Sequence, residues 1–125
     1  MSPNDSVGLI AGNGQFPILF AQAAKAQGLR VVAVGMDGET DPSVAGFVDS
    51  FSLVKVGQLG KMIKIFQKAS ISKAAMAGGV RKTRLFGGAR PDWTALKLLA
   101  QTAVRKDDGM LRAIAREFEN KGIEI

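Results

Sequence analysis

Neither cysteine nor histidine occurs among the 125 residues, and each absence removes a class of chemistry. Without cysteine there is no disulfide, no thiolate nucleophile and no thiolate metal ligand. Without histidine, no imidazole is present to complete a conventional zinc site or to act as the base of a Ser-His-Asp triad. General acid or base work falls to eleven Asp and Glu side chains, or to a lysine whose pKa is lowered by burial or by other cations. Tyrosine is also missing, and the seven phenylalanines fall mostly in predicted core positions, which leaves no stacking platform for nucleic acid. No stretch approaches the roughly 18–20 uninterrupted apolar residues of a membrane span, and Met1 to Ser6 lacks the basic and apolar regions of a secretory signal. The chain reads as cytoplasmic, with at most peripheral contact at the inner face of the inner membrane.

What is present suits one domain. A chain this long that is 46% apolar buries roughly two-thirds of the surface its unfolded form exposes. Its formal charge of +6 and pI near 10 make the surface attractive to anions without saying which.

The apolar run Val7 to Ala11 ends in Gly12, Asn13 and Gly14, and Pro17 follows where a first helical turn accepts it. An alanine-rich helix from about Phe16 to Gln27 stops at Gly28, and Leu29 to Val34 resumes a β-branched run. A short helix is expected around Val44, Phe47 and Val48, then a third strand over Phe51 to Val56. Leu59, Met62, Ile63, Phe66 and Ala69 recur at three- and four-residue intervals on one helical face. Lys73 to Ala77 reads as a fourth strand, Asp92 as the cap of a helix from Trp93 to about Arg105, and a last helix runs from about Asp107 or Asp108 to Gly122. Ile123 to Ile125 resembles the opening of a fifth strand, so the chain reads as cut at a domain boundary. The expected fold is a Rossmann-like three-layer α/β/α domain with a mainly parallel sheet of about five strands.

Ligands of such sheets sit beyond the carboxyl ends of the strands. There Gly12-Asn13-Gly14-Gln15-Phe16-Pro17 follows the first strand, as a phosphate-cradling loop does. Pro17 stands where a dinucleotide fingerprint needs its third glycine, and a tight turn that binds nothing is the plain alternative. Asp37 follows the second strand where a ribose-binding carboxylate would lie, in a Gly-Met-Asp-Gly context that equally suits a turn. Gly78-Gly79-Val80-Arg81-Lys82 joins two glycines to cations, with Arg84 and Arg90 beyond, a pattern for phosphate or pyrophosphate. Of Asp107 and Asp108, one can cap the last helix and the other is spare for a magnesium ion beside a diphosphate. Trp93, Phe86 and Leu85 flank the basic loop, as helix packing or as an apolar wall for a lipid.

Four blocks, Gly8 to Pro17, Val56 to Gly60, Met76 to Lys82 and Asp107 to Arg112, resemble in order the LpxI family of UDP-2,3-diacylglucosamine pyrophosphatases, and the resemblance spans essentially the whole chain, residues 1–125. It implies the amino-terminal domain of a Gram-negative enzyme of lipid A biosynthesis. That enzyme hydrolyses its substrate to UMP and 2,3-diacylglucosamine 1-phosphate with magnesium or another divalent cation, none being required to fold this domain. It also implies a carboxyl-terminal domain that carries the essential aspartate and closes on the lipid substrate. The chain alone is then the inactive substrate-binding half. Gly12, Asn13, Gly14, Gln15, Phe16, Gly78, Gly79, Val80, Arg81, Lys82, Asp107 and Asp108 are carried over as facing the interdomain cleft. A free-standing nucleotide-binding module is the second reading and a basic nucleic-acid binder the third. An exposed docking face also leaves room for a homodimer.

Overall fold

In a computed structural model of the chain, residues 5–79, 92–95 and 109–125 are described. The elements are β1 (Ser6–Ala11), α1 (Phe16–Ala26), β2 (Arg30–Met36), a 3-10 helix (Pro42–Phe47), β3 (Ser50–Val54), α2 (Leu59–Lys68), β4 (Ala74–Ala77) and α3 (Gly109–Asn120). Residues 93–95 are also helical. The strands form one sheet in the order β3-β2-β1-β4, and every pairing is parallel, with Leu9 opposite Ala33 and Ala75.

Alternation along the two central strands builds a core on each face of the sheet. Leu9, Ala11, Val31 and Ala33 pack with Ala21 and Ala24 of α1 and with Val44. Ile10, Val32, Val34 and Met36 face the other way, onto Met62, Ile63 and Phe66 of α2 and Phe118 of α3. The rings of Phe66 and Phe118, both fully buried, stand 6.4 Å apart at 57°. Each such side chain contributes about 1.5–3 kcal/mol by leaving water. Of the expected core face of α2, Leu59 and Ala69 are only partly buried against this cluster. Ile114 of α3 packs there too, whereas the side chains of Met110 and Leu111 lie outside the described set.

The sheet differs from expectation at several points. Among the described residues it has four strands rather than five, and β2 runs on to Met36, past the expected end at Val34. Of the closing residues only Glu124 pairs, in a parallel bridge to Lys73 beside β4, its N–H donating to Ser72 O and its carbonyl accepting from Ala74 N, both at 2.8 Å. One bridge is too short for a ladder. The third strand stops at Val54, short of Val56, because the Gln58 side chain takes the Lys55 N–H at 2.7 Å and turns the chain. Asp92 caps as expected, accepting from Ala95 N at 3.0 Å. Its other oxygen accepts from Gly60 N at 2.8 Å and Lys61 N at 3.3 Å, so that one carboxylate caps α2 as well.

Among the described residues, the three long helices end alike. Leu29 N, Ile71 N and Ile123 N bond back to Ala24 O, Phe66 O and Phe118 O, and a residue of positive φ precedes each: Gly28, Ser70 and Gly122. At Ser70, φ 59°, the side chain makes the left-handed turn costly.

Candidate functional site

The loop leaving β1 and the first residues after β4 lie side by side where the strand order reverses, β4 pairing with β1 on the side away from β2. In doubly wound sheets ligands bind at such a switch point, beyond the carboxyl ends of the strands. Here both loops are glycine-lined. Gly12 N donates to Ala77 O at 2.7 Å and Asn13 N to Gly79 O at 2.8 Å, closing an antiparallel bridge between Asn13 and Gly79. The approach is so close that only glycine fits. A Cβ on Gly12 would lie 2.4 Å from Gly79 O, and one on Gly78, whose φ is +90°, would lie 2.4 Å from Asn13 O.

The Asn13 side chain completes the junction. Its Oδ1 accepts from Gly79 N at 3.2 Å and its Nδ2 donates to Glu39 Oε2 at 2.9 Å. Glu39 is 7% exposed and Thr40 6%. The Thr40 hydroxyl accepts from Met36 N at 2.7 Å and donates to Ala11 O at 2.5 Å, fastening the end of β2 to the end of β1. Two polar side chains just past β2 thus brace the loop after β1. Neither Glu39 nor Thr40 is among the residues that the sequence pattern singles out. The available signal was a Glu-Thr pair directly after a strand whose topological neighbour ends in Gly-Asn-Gly.

Gly12, Asn13, Gly78 and Gly79 therefore meet directly. Gly14, Gln15 and Phe16 follow at the exposed start of α1, where no side chain caps the helix. Phe16 is 70% exposed, and Leu19 one turn on is also exposed, so this end of α1 offers an apolar face to solvent beside the glycine junction. Trp93 is 77% exposed, against the helix-packing alternative for this residue. Asp37, beyond β2, pairs with Lys55 at 3.1 Å, both side chains half exposed. Val80, Arg81, Lys82, Asp107 and Asp108 lie outside the described residues, as do Leu85 and Phe86. Among the described residues no three carboxylates come together to hold a metal ion, and no helix is long and apolar enough to cross a membrane.

At the opposite, amino-terminal end of the strands, Asp5, Ser6, Val7, Leu29, Ser72 and Lys73 line a concavity of about 580 Å³. It has neither a glycine junction nor a helix start directed at it, and parallel sheets rarely bind ligands at that end.

A parallel sheet covered on both faces, with two glycine loops joined at its switch point, defines the doubly wound α/β class. Solved structures agree. The biotin carboxylase domain of a thermophilic 2-oxoglutarate carboxylase bound to ADP matches with a TM-score of 0.52 at 16% identity, over 94% of this chain and 21% of that one. The Hydrogenobacter thermophilus 2-oxoglutarate carboxylase biotin carboxylase domain dimer matches equally, with the same TM-score of 0.52. Residues 6–125 match the family model of the LpxI N-terminal domain, and the chain belongs to that family. Over 122 residues it is 33% identical to the UDP-2,3-diacylglucosamine pyrophosphatase LpxI of Caulobacter vibrioides. The match covers 95% of this chain and 42% of that protein, so the chain spans less than half the length of this relative.

Proposed function

We propose that this chain is the substrate-binding part of a UDP-2,3-diacylglucosamine diphosphatase of lipid A biosynthesis, acting in the cytoplasm or at the inner face of the inner membrane. The observation that carries the reading is the Gly12–Asn13/Gly78–Gly79 junction at the switch point of a sheet whose chain bears +6 charge. In the reaction, water adds to one phosphorus of the anhydride and the bridging P–O bond breaks, giving UMP and 2,3-diacylglucosamine 1-phosphate. This chain's share is to hold the diphosphate in line for that attack. The N–H groups of Gly14, Gln15 and Phe16 at the start of α1 meet one phosphate, and Arg81 and Lys82 following Gly79 neutralise the other. The exposed Phe16 and Leu19 border the acyl chains.

A divalent cation is part of the reading, neutralising charge on the diphosphate oxygens. No described group of carboxylates fits it, so no step is assigned to it; Asp107 and Asp108 are the residues of this chain proposed to reach it. Groups that activate the water belong to a carboxyl-terminal domain. Calorimetry with UDP-2,3-diacylglucosamine and magnesium, beside a hydrolysis assay on the same sample, tests the division of labour. Binding without turnover is expected, and turnover by this chain alone would overturn it. The second reading, a nucleotide-binding module, predicts that UDP alone binds as tightly as the lipid substrate. A nucleic-acid binder would lose affinity steeply with salt.

A further inference from the structure

The buried Glu39 side chain is bonded to Asn13 at the glycine junction. An asparagine amide presents a donor at one end and an acceptor at the other, and the two ends are nearly identical in shape. The Gly79 N–H needs the acceptor end, and at 3.2 Å its bond to Oδ1 is the longer of the amide's two contacts. A carboxyl oxygen of Glu39, Oε2, accepts from the Asn13 amide Nδ2 at 2.9 Å. The Oδ1 end is thereby turned to Gly79 N at 3.2 Å. Glu39 is itself held by its turn, Glu39 N and Thr40 N both donating to Met36 O at 2.9 Å.

We propose that Glu39 is a positioning residue for the diphosphate-binding loops: it orients the Asn13 amide so that its acceptor oxygen faces the β4 loop and not the ligand. The inference rests on the diphosphate reading above. An acceptor oxygen aimed at a phosphate repels it, whereas one spent on Gly79 N–H draws the β1 and β4 loops together and leaves backbone N–H groups as the lining. The Glu39 carboxyl that does the orienting is only 7% exposed.

The test is a reciprocal exchange. In Asn13→Asp, two carboxylates face each other at the 2.9 Å contact. In the double variant Asn13→Asp/Glu39→Gln, the amide introduced at position 39 donates to the carboxylate introduced at position 13, whose other oxygen still accepts from Gly79 N–H. Urea unfolding of the 125-residue chain at pH 5.5 and pH 8, the Gly79 amide proton shift, and calorimetric affinity for UDP-2,3-diacylglucosamine are read for each. Asn13→Asp is expected to lower the folding constant about a hundredfold at pH 8 and under about tenfold at pH 5.5, because the close carboxylates share a proton at the lower pH. The double variant is expected to regain stability to within about threefold and to recover the Gly79 shift. It should nevertheless bind the ligand about tenfold more weakly, since the carboxylate now stands in the loop. A double variant no more stable than Asn13→Asp, or an Asn13→Asp loss that is equal at both pH values, overturns the pairing. Rescue with undiminished ligand affinity, or a wild-type chain that binds no ligand, overturns the positioning role and leaves a purely structural clamp.

Discussion

Gly12→Ala places one methyl group against three backbone atoms: Gly79 O at 2.4 Å, Gly79 N at 2.7 Å and the Gly78 carbonyl carbon at 2.9 Å. Ordinary contact begins near 3.4 Å, so the two loops must separate by about 1 Å. No flexible side chain is present to give way. Such a shift loosens the 2.7 Å bond from Gly12 N to Ala77 O and the 2.8 Å bond from Asn13 N to Gly79 O. Overpacking costs about 1–3 kcal/mol and each weakened hydrogen bond about 0.5–1.5 kcal/mol, for a loss of about 2–6 kcal/mol. A domain of this size has about 5–15 kcal/mol in all. Two glycine controls separate contact from conformation. Gly14→Ala meets nothing within 4 Å but sits at φ +86°, and should cost about 1–2 kcal/mol. Gly46→Ala has neither problem and should stay within about 0.5 kcal/mol of the wild type. Urea midpoints for the three variants, at unchanged m, give the comparison. If Gly12→Ala proves no more costly than Gly14→Ala, the two loops do not pack as described.

Ser70→Gly relieves the left-handed strain at φ 59° and should raise stability by up to about 1 kcal/mol, read as a higher urea midpoint. Asp92→Ala removes the acceptor shared by Gly60, Lys61 and Ala95; a loss of about 1–3 kcal/mol is expected, more than the roughly 1 kcal/mol of an ordinary cap. Bonds from the Lys25 ammonium and then Val31 N–H hold the Asp49 carboxyl below its usual pKa. Its contribution is thus complete above the unfolded carboxylate range, near pH 3.9, and disappears as pH falls below it. Asp49→Asn should be about 0.5–1 kcal/mol less stable at pH 7, the small size reflecting solvent exposure, and the gap should close in unfolding curves taken at pH 2–3.

The α/β order and the two glycine loops were legible because they depend on local pattern: apolar runs of five or six residues, glycine at their ends, and the 3.6-residue period of α2. What escaped depends on partners far away in sequence. Asp92 reaches Gly60 across 32 residues, and nothing near either position reports the second cap. Gln58 ends β3 through its side chain, although Val56 continues the apolar pattern. Glu39 and Asn13, 26 residues apart, meet only because β1 and β2 lie side by side. Trp93 follows its cap at the start of a helical stretch and stays exposed, so its hydrophobicity was a poor guide to packing. The chemistry of Asn13 was only half legible for the same reason: a residue read as part of a phosphate-cradling loop bonds through both ends of its amide to protein partners.

A diphosphate ligand is proposed to sit at the junction of the β1 and β4 loops. Titrating UDP-2,3-diacylglucosamine into the ¹⁵N-labelled chain and following the backbone amides tests it most directly. The largest shifts are expected on Gly12 to Phe16 and on Gly78 to Lys82, with Ser6, Ser72 and Lys73 at the other end of the strands unmoved. Shifts centred on Ser6, Ser72 and Lys73 would contradict it and move the site to the amino-terminal edge of the sheet.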